Sequence, residues 1–153
     1  MRVEQELERM GLSVPEVAAG IGSFVPAVQT GNLLYVSGNT GARLYDFRGK
    51  LGEDVTIEQG YEAAKCAMLG CLAAARSVLG DLDRIERVVK LLGFVNVGAG
   101  FTETPRVING ASDLLIALYG EAGQHARSAI GVAALPGNAP VEVEMIVQVR
   151  GSI

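Results

Sequence analysis

Ile57, Tyr61, Ala64, Met68, Leu72, Ala75 and Leu79 recur every three or four positions between Thr56 and Gly80. A strand cannot keep that period, so this segment must form about six turns of helix with one apolar face. Thr56 suits the N-cap, and Gly80 suits the stop. The many alanines let such a helix lie close to a sheet. Cys66 and Cys71 lie five apart on it, point about 140° from each other, and cannot pair.

Around this helix the pattern becomes strand-like. Residues 28–30 and 33–37 flank Gly31-Asn32, a two-residue hairpin signal. Residues 43–51 read as a short extra strand, and 85–97, rich in β-branched and aromatic residues, as a longer one. A second long helix is predicted over 105–119, with Pro105 in its first turn and Gly120 at its end. Its apolar stripe is Val107, Ile108, Ala111, Leu114, Leu115 and Leu118. Two further strands, 128–134 and 141–150, are joined by a loop holding Pro136, Gly137 and Pro140. Residues 2–10 read as a short helix stopped by Gly11. The order β-β-(β)-α-β-α-β-β implies an α+β layer, a single mixed β-sheet with two long helices packed on one face. With 153 residues, one domain spanning 1–153 is expected, with 1–20 as an N-terminal helical extension.

Composition narrows the function classes. Lys and Arg number 13 against 17 Asp and Glu, a formal net charge of −4, and no basic cluster occurs. Binding driven by phosphate neutralisation is therefore disfavoured, and no nucleic-acid partner is expected. No apolar run reaches the roughly 18 residues of a membrane span. The acidic start lacks the pattern of a signal peptide, and the cysteines form no disulfide framework, so a cytoplasmic protein with reduced thiols is expected. Hydrophobic residues make up 49% of the chain, with a mean hydropathy of +0.30. So apolar a small chain is expected to cover part of its surface with copies of itself, as a homo-oligomer.

The chemistry-bearing candidate is Arg127, set at the mouth of the apolar run Ala129 to Leu135. A lone guanidinium there needs a partner. Its planar donor fork, charged at any physiological pH, matches a carboxylate bidentately. That carboxylate belongs either to the protein, with Glu142 the nearest candidate, or to a small ligand. Glu142 and Glu144 alternate with Val141, Val143 and Met145 and share one strand face, which for Glu144 reads as solvated. His125 reads as a surface histidine, and no metal site is expected, since a single histidine lacks further ligands at suitable spacing. Gly22, Gly31, Gly38 and Gly41 serve turns, and Gly93 marks close packing or a bulge within a strand.

Several motifs in order resemble one family. Ala126-Arg127-Ser128, Val132-Ala133-Ala134-Leu135-Pro136 and Val141-Glu142-Val143-Glu144 match the closing signature of the Rid family (YjgF/YER057c/UK114, reactive-intermediate deaminases). Gly22-Ser23-Phe24-Val25, Tyr35-Val36-Ser37-Gly38-Asn39, Phe94-Val95 and Asn109 add to the resemblance, which runs from about Gly22 to Arg150. It implies a chorismate-mutase-like fold, a homotrimer with clefts between subunits, a place in metabolite damage control, and hydrolytic deamination of reactive 2-imino or 2-enamine acids to 2-oxo acids and ammonia. It implies no cofactor. By position, Arg127 would clamp the carboxylate of a small metabolite and Glu142 would orient or activate water. Phe24, Ser37, Asn39 and Asn109 would line the cleft, with backbone groups near Ala129 and Gly131. The chain departs from many active members at Phe24 (tyrosine), Ala129 (cysteine) and Gly131 (glutamate), which marks a divergent, longer branch. The alternative is non-catalytic binding or sensing of a small carboxylate metabolite. An endoribonuclease is less favoured, given the acidic balance.

Overall fold

The computed structural model describes residues 1–17 and 23–151. Gly22, one of the expected turn glycines, lies outside them. The long helical period forms α2 (Ile57–Leu79). Its start is a reciprocal capping box. Thr56 Oγ1 accepts the Gln59 amide at 3.1 Å, and Gln59 Oε1 accepts the Thr56 amide at 3.0 Å. The second long helix forms α3 (Thr104–Tyr119), with Pro105 in its first turn.

α2 and α3 approach so closely that a Cβ at Gly110 would lie 2.0 Å from the Tyr61 carbonyl oxygen. Backbone on both sides cannot yield cheaply. Gly110→Ala is expected to lower stability by about 3 kcal/mol, the upper end of overpacking costs. Denaturant unfolding checks this, and an unchanged midpoint would mean that the helices separate freely.

A short helix, α1 (Arg2–Arg9), buries Val3 and Leu7 beside α3. The Asp83 carboxylate takes its first amides, those of Arg2 at 2.7 Å and Val3 at 2.8 Å. The expected helical extension is thus one short helix. From Gly11 to Val17 the chain has no regular structure, and 18–20 lie outside the described residues.

Five strands make one mixed sheet: β1 (Ala27–Thr30), β2 (Leu33–Asn39), β3 (Ile85–Asn96), β4 (Ala126–Val132) and β5 (Val141–Val149), in the order β1-β2-β5-β3-β4. The predicted hairpin is β1–β2, paired from Ala27↔Val36 to Thr30↔Leu33. β5 is antiparallel to both β2 and β3, while β4 runs parallel to β3. Helix α3 is the crossover between β3 and β4, and it carries β4 to the outer edge. The last two strands, adjacent in sequence, are therefore separated by β3. Along β5, Val141, Val143, Met145, Val147 and Val149 are buried on the helix side, and Glu142, Glu144, Ile146 and Gln148 take the opposite face. Gly93 serves close packing: a Cβ there would lie 2.6 Å from the Ile108 side chain.

Two expectations are corrected. Residues 43–51 do not form a strand. A 3-10 turn, Ala42–Leu44, is followed by irregular chain in which Tyr45 and Phe47 stack at 4.8 Å. The Arg48 guanidinium takes the carbonyls of Ala42 at 2.9 Å and Phe47 at 2.7 Å, which a strand would have used in a ladder. Only Leu51 makes isolated bridges, to Val55 and Val97. β4 begins two residues earlier than predicted, because its parallel pairing starts at Lys90↔Ala126, so Arg127 lies within the strand. Among the described residues, no helix is long and apolar enough to cross a membrane.

Candidate functional site

Arg127 pairs with Leu91 across β3–β4, and Leu91 pairs with Met145 across β3–β5. Both partners are buried on the helix side, so Arg127 points to that side too. There it meets α3. Its Nη1 donates to Asn109 Oδ1 at 2.8 Å and to Ser112 Oγ at 3.1 Å. These two residues are three apart and share one helix face. Both Nη1 hydrogens are used on neutral oxygens, while Nη2 and Nε have no protein acceptor among the described residues. No carboxylate among them lies within ion-pair distance of the guanidinium. The structural salt bridge with Glu142, one of the two possibilities in the sequence, is not formed.

His125 is not a free surface residue. It is half-buried, with Nδ1 2.6 Å from the Gly123 carbonyl oxygen and Nε2 2.9 Å from Ser112 Oγ. Sequence reasoning missed both His125 and Ser112 as neighbours of Arg127. The available signal was Ser112 following Asn109 by three in a helix, with His125 two residues before the arginine. Ala129 and Gly131 continue the Arg127 row along β4. The Ala129 carbonyl accepts Thr104 Oγ1 at 2.9 Å, which ties the strand to the start of α3. At Gly131 a Cβ would touch the Val97 side chain at 3.0 Å.

Phe24, Ser37, Asn39 and Glu142 line a different place, a cavity of about 720 Å³ at the frayed end of β2, where the ladder with β5 shifts register between Val36 and Asn39. Ser37 Oγ donates to the Val25 carbonyl at 2.7 Å and Asn39 Nδ2 to that of Ser37 at 3.0 Å, fixing the rim. Phe24 is 57% exposed. Gly38 makes room for the carboxylate, because a Cβ there would sit 2.6 Å from Glu142 Oε2. Burial, and then the nearby Glu144 charge, raise the Glu142 pKa from its ordinary value. A raised pKa makes the ionised carboxylate a better proton acceptor.

Glu142 pairs with Phe94, and Phe94 with Ile130. Ile130 is three residues from Arg127 on β4, so the two point to opposite faces. The expected site residues thus fall into two places: Arg127, Asn109, Ala129 and Gly131 gather on the helix side at β4, whereas Glu142 rises from the opposite face into the cavity rimmed by Phe24, Ser37 and Asn39, of which Asn39 pairs with Val143 and lies against Gly70 of α2. Two strand spacings, roughly 10 Å, lie between β4, which carries Arg127, and β5, which carries Glu142, and the two residues are also offset by three positions along β3.

Residues 4–149 match the family model described as "YjgF/chorismate mutase-like, putative endoribonuclease". Protein TCP17 of Trypanosoma cruzi is 42% identical over 152 residues, covering 97% of this chain and 95% of the relative. The chain belongs to the YjgF/YER057c/UK114 family. A 2-iminobutanoate/2-iminopropanoate deaminase of Dermatophagoides farinae is 31% identical over 141 residues, covering 91% of this chain and 95% of the relative. Among solved structures, Atu1372 of Agrobacterium tumefaciens superposes with a TM-score of 0.88 at 39% identity, covering 97% of this chain and 93% of that one. The single mixed sheet backed by helices is the chorismate-mutase-like fold of this family, and the two groups of polar residues are set within it.

Proposed function

We propose that this chain hydrolyses small 2-imino or 2-enamine acids to 2-oxo acids and ammonia. The observation that carries the reading is the Arg127 guanidinium, held at Nη1 by Asn109 and Ser112 with its Nη2 and Nε edge unmatched by any acceptor among the described residues. That edge offers two parallel N–H donors to a substrate carboxylate. The kinship with an iminobutanoate deaminase supports the same chemistry.

A protonated imine carbon is already electrophilic, so orienting it and delivering water supply much of what the reaction needs. Water adds its oxygen to the imine carbon while Glu142 takes a proton, giving a tetrahedral carbinolamine. Transfer of that proton from Glu142 to nitrogen makes ammonia the leaving group, and Glu142, ionised again, takes the hydroxyl proton as the C=O bond forms and the C–N bond breaks. One chain carries Arg127 and Glu142 on opposite sheet faces, so a site using both is built between copies, in the clefts of a homotrimer. Val28, Tyr35 and Ile130, exposed on the face away from the helices, supply apolar surface for such contacts. We place the protein in the cytoplasm, where Cys66 and Cys71, both unpaired, stay reduced.

A second reading is Arg127-dependent binding of a small carboxylate without turnover. Ala129 and Gly131, which leave the β4 row beside Arg127 without polar side chains, favour it. The test is ammonia release from freshly generated 2-iminopropanoate and 2-aminoacrylate. Acceleration over the buffer rate is expected. No acceleration, with a 2-oxo acid still bound through Arg127, would replace the deaminase by a binder. A net charge of −4 weighs against RNA as the substrate.

A further inference from the structure

We propose that Ser112 and His125 are positioning residues for Arg127, forming a hydrogen-bonded chain that fixes which edge of the guanidinium meets the carboxylate. This rests on the Arg127 clamp described above.

The direction of every bond in the chain follows from its ends. The Gly123 carbonyl can only accept, so His125 Nδ1, 2.6 Å away, carries a hydrogen. In the neutral imidazole Nε2 is then an acceptor, and Ser112, at 2.9 Å, donates its hydroxyl proton to it. That leaves the Oγ lone pairs for Arg127 Nη1, which donates at 3.1 Å, while Asn109 Oδ1 takes the other Nη1 hydrogen at 2.8 Å. Guanidinium nitrogens can only donate, so a serine hydroxyl turned toward Arg127 would oppose it. His125 prevents that turn by occupying the hydroxyl proton.

The geometry also explains the burial. Ser112 is 7% exposed on α3, where an unpartnered hydroxyl is costly. Its two bonds run to two different segments, β4 and the turn before it, so it joins the helix to the strand at the arginine. Asn109 alone leaves the guanidinium free to swing about one contact. Asn109 and Ser112 together hold Nη1 from two points and direct the Nη2–Nε edge away from the helix.

His125 is the chain's only histidine, so its ring nitrogens give one unambiguous set of NMR signals. Long-range ¹H–¹⁵N correlation on the intact labelled protein is expected to show the neutral ring as the Nδ1–H tautomer, with Nε2 unprotonated. An Nε2–H tautomer would overturn the proposal. In steady-state deamination of 2-iminopropanoate, His125→Leu is expected to raise KM about tenfold with kcat within about twofold, the pattern of lost uniform binding. His125→Gln, whose side-chain oxygen can take the serine proton, is expected to restore most of the loss. Pyruvate binding followed by calorimetry separates the possible failures. If Arg127→Ala binds pyruvate as the wild type does, the clamp itself is wrong. If Arg127→Ala loses binding while His125→Leu and Ser112→Ala keep it, the clamp stands and the positioning chain is refuted.

Discussion

Arg127→Ala is expected to lose deamination almost entirely while the fold and the assembly persist. Removing the only clamp on a substrate carboxylate costs about 2–5 kcal/mol of binding in the transition state. At 1.4 kcal/mol per factor of ten, kcat/KM falls roughly 30- to 4,000-fold. The fold should tolerate the change, because Arg127 makes no ion pair among the described residues and is bonded only to the neutral Asn109 and Ser112. Thermal melting within a few degrees of the wild type, with an unchanged elution volume, is the matching control. A variant that unfolds or dissociates would make Arg127 a structural residue after all, and one that retains full activity would remove it from the reaction.

Glu142→Gln is expected to cost about 10²- to 10⁴-fold in kcat, the usual worth of a positioned proton acceptor. Glutamine keeps the shape beside Gly38 and removes only the basicity. The pH profile gives a finer check. Glu142 accepts a proton only when ionised, so activity should rise with pH through its pKa, which burial and then Glu144 raise from its ordinary value. Glu144→Gln takes away a like charge, lowers that pKa, and should move the acid limb to lower pH. An acid limb that stays in place would assign it to another group. Stability follows the same sign. A carboxyl whose pKa is raised on folding favours the native state while protonated and loses that advantage as pH climbs through the folded pKa. Glu142→Gln should therefore melt no lower than the wild type at neutral pH, which separates lost chemistry from lost structure.

What the sequence made legible was whatever is written locally. α2 could be read because its period and its caps, Thr56, Gln59 and Gly80, agree. The hairpin could be read because Gly31-Asn32 separates two strand-like runs. The segment from Arg43 to Leu51 was misread because Leu44, Tyr45 and Phe47 mimic alternation, whereas Arg48 satisfies the carbonyls without a neighbouring strand. Strand order was the larger obstacle. β4 and β5 follow one another closely in the chain, yet α3 carries β4 past β3, and that crossover decides which residues share a face. The ordered motifs marked Arg127, Asn109 and Glu142 as candidates. Their separation into two groups depends on register, which no local pattern specifies. Ser112 and His125 were harder to read for a related reason, since their spacing to Asn109 and Arg127 was the only signal they gave. Each looks unremarkable in its own segment, and they meet only because β4 starts at Ala126 and lies against α3.

The placement of Arg127 and Glu142 on opposite faces of one sheet has an evolutionary consequence under the proposed arrangement. Each chain would contribute to two different clefts, offering a clamp to one neighbour and a proton acceptor to the other. After gene duplication, a copy that lost one half would still complete a cleft with the other. Two diverged paralogues could then specialise within a mixed ring, neither of them whole, and a damaged allele would be sheltered by a sound one.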